Sequence, residues 1–107
     1  MENYLEKAKP IHTVINTAWQ AGFVAETLAG LTDLAVLMME AGKTPAAANI
    51  LAYILHHPDV PYDTFDRAED LFIDLEAHLG QQVIEDAKEQ ARYLTMRGVV
   101  EAALAVE

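Results

Sequence analysis

Cysteine is absent from the 107-residue chain. Without thiols the chain forms no disulfide and has neither a thiolate nucleophile nor the ligands of a cysteine-based zinc site. Basic residues are also scarce, since 7 Lys and Arg stand against 17 Asp and Glu, for a formal net charge of −10. Proteins that bind a phosphate backbone use Lys and Arg to do so, and this balance therefore argues against direct nucleic-acid binding and against anionic membrane surfaces.

The sequence also lacks a long uninterrupted apolar run. The most apolar stretch covers residues 11–41, but Glu26, Asp33 and Glu40 interrupt it at seven-residue intervals. A membrane span needs about 20 apolar residues with few charges. Seven residues return to nearly the same side of a helix, so the three carboxylates predict a narrow solvent-facing stripe on a soluble helix.

The amino-terminal turns carry charged residues where a signal peptide would have its apolar segment: Glu2, Glu6, Lys7 and Lys9. We therefore predict a cytoplasmic protein. Hydrophobic residues make up 52% of the chain and charged residues only 22%, which favours a packed core over disorder. The length is that of one domain.

Apolar spacing predicts helices along the whole chain. An amino-terminal helix places Ile11, Val14, Ile15, Ala18 and Trp19 on one face and stops at Gly22; the next runs from about Phe23 to Ala41. A third has Thr44 as its N-cap, Pro45 at its first position and His57 as its end before Pro58. Its apolar face consists of Ala47, Ile50, Leu51, Ile54 and Leu55.

The second half of the chain continues the helical pattern. A fourth helix, ending near Gly80, places Phe65, Ala68, Phe72, Leu75 and Leu79 on one face, and a fifth turns Val83, Ile84, Ala87, Ala91 and Leu94 inward. A last helix over Arg97–Val106 follows a possible cap at Thr95. No stretch alternates with period two, so no sheet is predicted. The fold class is therefore all-α, an antiparallel helix-turn-helix array of about five to six helices.

One helix pair has the length of a tetratricopeptide repeat, because Ala25 to Pro58 spans 34 residues. Small and large residues alternate along it in an order similar to that repeat: Leu31, Leu34, Ala35, Met38, Gly42, Ala47, Leu51, Ile54 and Pro58. Two features differ from the tetratricopeptide pattern: the first helix of the pair lacks the usual aromatic residues, and Pro58 lies about one position early.

From roughly Phe23 onwards the chain resembles the final repeat and carboxy-terminal cap of long tetratricopeptide arrays in large bacterial regulatory proteins. The residues that carry this resemblance are Leu28 to Leu31, Gly42, Leu51 to Pro58, and Arg67 to Glu69 before Leu71. The resemblance implies a helical scaffold that binds another macromolecule and has no catalytic residues. It divides the single domain 1–107 into an amino-terminal helical segment (1–22), a core helix pair (23–58) and carboxy-terminal capping helices (59–107).

His56 and His57, followed by Pro58 and Asp59, are the most obvious candidate ligands for a metal or a proton. Adjacent helical residues point about 100° apart, so one ion does not readily meet both imidazoles. Histidines at the end of a helix more commonly bond its last carbonyl groups. A metal site needs three or four ligands, and the distant His12 and His78 would have to be brought there by folding. We predict no metal and no cofactor.

The fourth helix is rich in carboxylates: Asp63, Asp66, Glu69, Asp70, Asp74 and Glu76. A hydrolase of the paired-carboxylate kind would need two of them in a cleft. Their alternation with the apolar face indicates a solvated surface instead, which can still attract a basic partner. No phosphate-binding loop of the form GxxxxGK is present. We therefore predict no enzyme activity.

Six residues are candidates for protein interaction. Asn49, Tyr53 and His56 lie along one side of the third helix, opposite its apolar positions, and combine polar groups with an aromatic anchor. An ordinary polar surface is the alternative interpretation of this patch. Trp19, Met38 and Met39 complete the set, although core packing is the preferred interpretation of these three.

These observations predict a protein-interaction or assembly module of a bacterial regulatory system. Between Ile11 and Met39 the charged side chains are only Glu26 and Asp33, so the helices there are apolar over more of their circumference than one neighbour covers. The prediction is therefore self-association, or docking onto another helical repeat. Two alternatives remain open: a small-molecule or metal-binding protein that uses the region of His56 and His57, and a fragment of a larger regulator.

Overall fold

The computed structural model describes residues 4–105. Within that range the chain forms six α-helices and no strand, which confirms the all-α prediction. The helices are α1 (Tyr4–Ala21), α2 (Val24–Glu40), α3 (Thr44–His56), α4 (Tyr62–His78), α5 (Gln81–Ala91) and α6 (Met96–Ala105). None of these helices is both long enough and apolar enough to cross a bilayer.

Two glycines end the first two helices, as the sequence predicts. Gly22 and Gly42 have φ angles of +78° and +80°, a backbone region that residues with a side chain rarely adopt. In each turn the following residue donates its N–H back to the helix, Phe23 to the Ala18 carbonyl at 2.9 Å and Lys43 to the Met38 carbonyl at 2.8 Å. The bonds satisfy carbonyl groups that the helix ends would otherwise leave unpaired.

Some predicted helix ends are shifted by one or two residues. Thr44 is not the N-cap of α3, because the Lys43 carbonyl already accepts the first helical bond, from the Ala47 N–H at 3.1 Å. Pro45 therefore occupies the second helical position, where its missing donor is equally harmless. α4 ends at His78, two residues before Gly80. The predicted last residue of α6, Val106, lies outside the described residues.

α2 is the central helix, and the neighbours that cover its apolar circumference belong to the same chain. It packs against α1, α3 and α4, and nine of its 17 residues are buried. Its apolar circumference is thus covered within one chain. The pattern of a single helix pair does not predict this, because α4 lies outside that pair. The predicted acidic stripe is exposed, but Asp33 also reaches across to α4 and accepts a hydrogen bond from Arg67 at 2.5 Å.

The remaining helices complete the core from both sides of α2 and α3. α3 packs against α4 and α5, and α6 returns to α1, so the last helix closes the fold against the first. The largest fully buried apolar side chains come mainly from α2 and α3: Leu28, Leu31, Leu34, Met38, Leu51 and Ile54. Burial of such side chains is the main stabilising contribution to a domain of this size.

Three residues predicted on inward faces are exposed instead. Val14 is 55% exposed because α1 is covered on one side only, by α2 and α6. Val83 is 37% exposed on α5, which turns its other side, with Ile84 and Ala87, towards the core. Leu94, also 37% exposed, lies beyond the end of α5, where helical periodicity no longer predicts direction.

Thr95 caps α6, and removing this cap is expected to loosen the helix. The Gly98 N–H donates to the Thr95 hydroxyl oxygen at 3.1 Å, as in a helix N-cap. Thr95→Ala should lower the free energy of unfolding by about 1 kcal/mol, whereas Thr95→Ser should leave it nearly unchanged. Chemical denaturation of the two variants, with amide exchange at Gly98, measures this effect. Equal stability of Thr95→Ala and the parent protein would contradict the cap.

Candidate functional site

An apolar pocket lies between α3, α5 and α6, with the end of α2 as its floor. We call it the α3–α5–α6 pocket; its volume is about 210 Å³. It is lined by Met38, Ala46, Asn49, Ile50, Gln90, Leu94, Gly98, Val99, Ala102 and Ala103. Four of these residues are Gly or Ala, so their short side chains leave the space between the helices unfilled.

The polar groups of the pocket are few and uncharged. Asn49 on α3 and Gln90 on α5 are the only polar side chains among the ten lining residues, and none of the ten is ionisable. Each amide offers both hydrogen-bond donors and an acceptor. An apolar cavity with one or two amides binds apolar groups and orients them, but provides no acid, base or nucleophile.

The structure brings two of the six predicted interaction residues into this pocket. Asn49 is partly buried at its wall, and Met38, which is 1% exposed, forms part of its base. Trp19 and Met39 are partly buried against the hydrophobic core and do not line the pocket. Met38 is therefore a core residue that also reaches the pocket, and Trp19 and Met39 pack against the core.

Tyr53 does not form the exposed aromatic anchor that the sequence predicts. It is only 7% exposed, since α5 packs against α3, and its ring meets the His57 ring edge-on with centroids 5.8 Å apart. Tyr53 and His56 line an open depression next to the α3–α5–α6 pocket, and Leu94 borders both. The predicted patch is thus divided into an exposed His56, a buried Tyr53 and an Asn49 that faces the pocket.

Burial raises the pKa of the Tyr53 phenol above its ordinary value of 10.0. The folded protein therefore holds this proton at a pH where the unfolded chain has begun to lose it. The stability that depends on the neutral phenol is complete below about pH 10 and is lost as the pH rises through the folded-state pKa. Burial likewise raises the pKa of the Tyr4 phenol.

We expect the free energy of unfolding to fall as the pH rises above 10. In a Tyr53→Phe variant it should fall less steeply. Denaturation curves measured between pH 9 and 11.5 test this, with Tyr62→Phe as the control because Tyr62 is 84% exposed. The control should follow the parent protein. If Tyr53→Phe and Tyr62→Phe change the pH dependence equally, burial is not the cause.

His56 and His57 bond to nearby backbone groups. His56 Nδ1 lies 2.8 Å from the Ala52 carbonyl oxygen, and His57 Nδ1 accepts the Asp59 N–H at 3.0 Å. His78 makes the same kind of contact with the Asp74 carbonyl, at 2.8 Å. His56 and His78 thus lie against carbonyl groups of the last helical turn, as expected for histidines at helix ends, whereas His57 accepts a backbone N–H beyond the helix. Among residues 4–105, no group of three or more His, Asp or Glu side chains is placed to hold a metal ion.

The six carboxylates of α4 are all exposed, which confirms the predicted solvated surface. Sequence reasoning missed the other part of the site, in particular Gln90, Leu94, Val99 and Ala102. The sequence feature that could have indicated this part of the site is a pair of small residues one helical turn apart, Gly98 and Ala102. Their position opposite α3 depends on how α6 folds back, which no local pattern shows.

No protein-family model matches this chain, and neither a curated protein nor a solved structure does.

Proposed function

We propose that this protein is a non-catalytic protein-interaction module, and that the α3–α5–α6 pocket receives an apolar side chain of its partner. The pocket carries the proposal: it is apolar, opens at the surface and has no ionisable lining residue. Tight protein interfaces often depend on one such anchor inserted into a desolvated pocket. The resemblance to the end of tetratricopeptide arrays favours the same function, within a bacterial regulatory system of the cytoplasm.

The dimensions of the pocket suit a large side chain. Cavities of about 150 Å³ in protein cores accept a benzene molecule, and a volume of 210 Å³ is therefore enough for a Leu, Met or Phe side chain. Asn49 and Gln90 supply hydrogen bonds to the backbone that carries this side chain. Burial of a side chain of this size contributes roughly 1.5–3 kcal/mol to binding.

Because α2 is covered within the chain, the docking surface that we propose is the α3–α5–α6 pocket and not a face of α2. Self-association through α2 would require the uncovering of residues that are now core, such as Leu31 and Leu34. Docking through the α3–α5–α6 pocket requires no such opening. A second copy of the chain remains one of the partners that this pocket accepts. The alternative function at His56 and His57 gains no support from the backbone bonds that these rings make.

Site-specific crosslinking in the native cell tests the proposal. A diazirine amino acid of leucine size replaces Leu94 at the pocket, and in a second strain Leu5, which is similarly exposed but lies on α1. We expect a discrete protein adduct from position 94 that position 5 does not give. Adducts between copies would identify the partner as the chain itself. Identical adducts from both positions, or adducts with small molecules only, would contradict the proposal.

A further inference from the structure

A second groove, between α3, α4 and α5, differs in chemistry from the α3–α5–α6 pocket. Its apolar lining includes Leu55, Phe72 and Ile73, and Glu69 and Glu76 stand on its α4 side. Its volume is about 200 Å³. We call it the acidic groove.

Two large apolar side chains of α4 are exposed, Ile73 in the groove and Tyr62 at the start of the helix. Tyr62 is 84% exposed and Ile73 is 57% exposed. Together with Glu69 and Glu76 they lie on one side of the helix. The steps from Tyr62 to Glu69, to Ile73 and to Glu76 are 7, 4 and 3 residues, or about two, one and one helical turns. The stripe from Tyr62 to Glu76 is about 21 Å long, which is the length of four turns of a partner helix.

Glu69 and Glu76 of α4 are the two carboxylates that line the groove. The helix carries four more carboxylates, which lie outside this lining, and one arginine, for a net charge of −5 out of −10 for the chain. Arg67 is engaged with Asp33 of α2, so it does not neutralise the groove. On the opposite wall, Lys88 lies over the Phe72 ring at 5.8 Å from its centroid, and His56 bonds to the Ala52 carbonyl. The groove therefore holds two carboxylates, both on its α4 side, against the one ammonium group of Lys88 on α5.

We propose that the acidic groove binds a basic amphipathic helix of a partner protein. An apolar side chain of this helix packs beside Ile73 in the groove, and flanking Lys or Arg side chains pair with Glu69 and Glu76. Apolar anchors at helical spacing give the affinity, as in other helix-in-groove complexes. The opposite charges accelerate association and set the orientation. This surface is separate from the α3–α5–α6 pocket and does not depend on the function proposed for that pocket.

A synthetic helix tests the proposal on the intact chain. The probe is an 18-residue peptide in which Leu occupies one face and Lys the other, compared with a scrambled peptide of the same composition. Fluorescence anisotropy at low and at 0.5 M salt measures both affinities. We expect the scrambled peptide to bind at least about tenfold more weakly, because it cannot place its leucines together. Equal binding of the two peptides would show that binding depends on peptide charge alone, and it would overturn the proposal.

Matched variants locate the binding site. Glu69→Gln with Glu76→Gln should weaken binding about threefold at low salt, and Glu85→Gln with Glu89→Gln, the same charge change on exposed α5 positions, should have less effect. Ile73→Ser should weaken binding about fivefold, while Val14→Ser, at a similarly exposed position on α1, should not. Ala102→Phe, in the other pocket, should leave binding unchanged. Equal losses in variants and controls, or a loss in Ala102→Phe, would overturn the assignment.

Discussion

Replacing Gly30 with Val is expected to lower the free energy of unfolding by about 3 kcal/mol, near the upper end of the range for overpacked cores. Gly30 is buried on α2 where α1 crosses it. A Cβ at this position would lie 2.8 Å from Ile15 Cγ1 and 3.7 Å from Ile15 Cα. The atom in the way is next to the backbone of a β-branched residue, so it has little freedom to move aside.

Denaturant unfolding of three variants separates this clash from other effects. Gly80→Val is the control for an added side chain without a clash: a Cβ at Gly80 meets no atom within 4 Å, so its cost should be limited to the poorer N-cap of α5. Gly30→Ala should cost less than Gly30→Val, since the better helix propensity of Ala offsets part of the clash. In an Ile15→Ala background the cost of Gly30→Ala should disappear, a coupling of about 1 kcal/mol. Additive effects of the two substitutions would show that the two helices do not meet at this point.

Filling the α3–α5–α6 pocket is expected to reduce affinity for the partner by about 30-fold, the loss that corresponds to one anchor residue worth about 2 kcal/mol. Ala102→Phe places a ring in the space that the anchor would occupy. Ala102 is exposed, so the folded state should tolerate the change. Ala105→Phe adds the same ring to the same helix at an exposed position outside the lining.

Calorimetric titration of both variants with the partner identified by crosslinking gives the two affinities. Ala105→Phe should bind as the parent protein does. Thermal unfolding serves as the control for folding, and both variants should melt near the parent temperature. Parent-like affinity in a folded Ala102→Phe variant would show that the pocket is not the binding site.

Local signals in the sequence predicted most of the helices. Gly22 and Gly42 require a backbone conformation that ends a helix, and Thr95 provides a hydroxyl at the start of α6, so each of these boundaries follows from a single residue. Thr44 was misassigned because a Thr before a Pro resembles an N-cap, whereas the backbone starts the helix one residue earlier.

The candidate site depends on contacts between distant segments, and the sequence predicted only part of it. Asn49 was identified by its polar side chain on an apolar helix, but its partner across the pocket, Gln90, lies 41 residues later. Tyr53 was predicted on the surface because the position of α5 over α3 is not encoded in α3 itself. The sequence could not show which neighbours cover α2 for the same reason, because α4 reaches it through contacts between distant segments such as that of Arg67 with Asp33.

The methyl group of Met38 is the most direct reporter of binding in the α3–α5–α6 pocket, because this side chain is 1% exposed and lines the pocket. NMR spectra of protein labelled at the methionine methyl groups would be recorded with increasing amounts of the crosslinked partner. We expect the Met38 signal to shift and to show cross-peaks to an apolar side chain of the partner, while the signal of Met39, outside the pocket, shifts little. A Met38 signal unchanged at saturation, with shifts elsewhere, would contradict binding in this pocket.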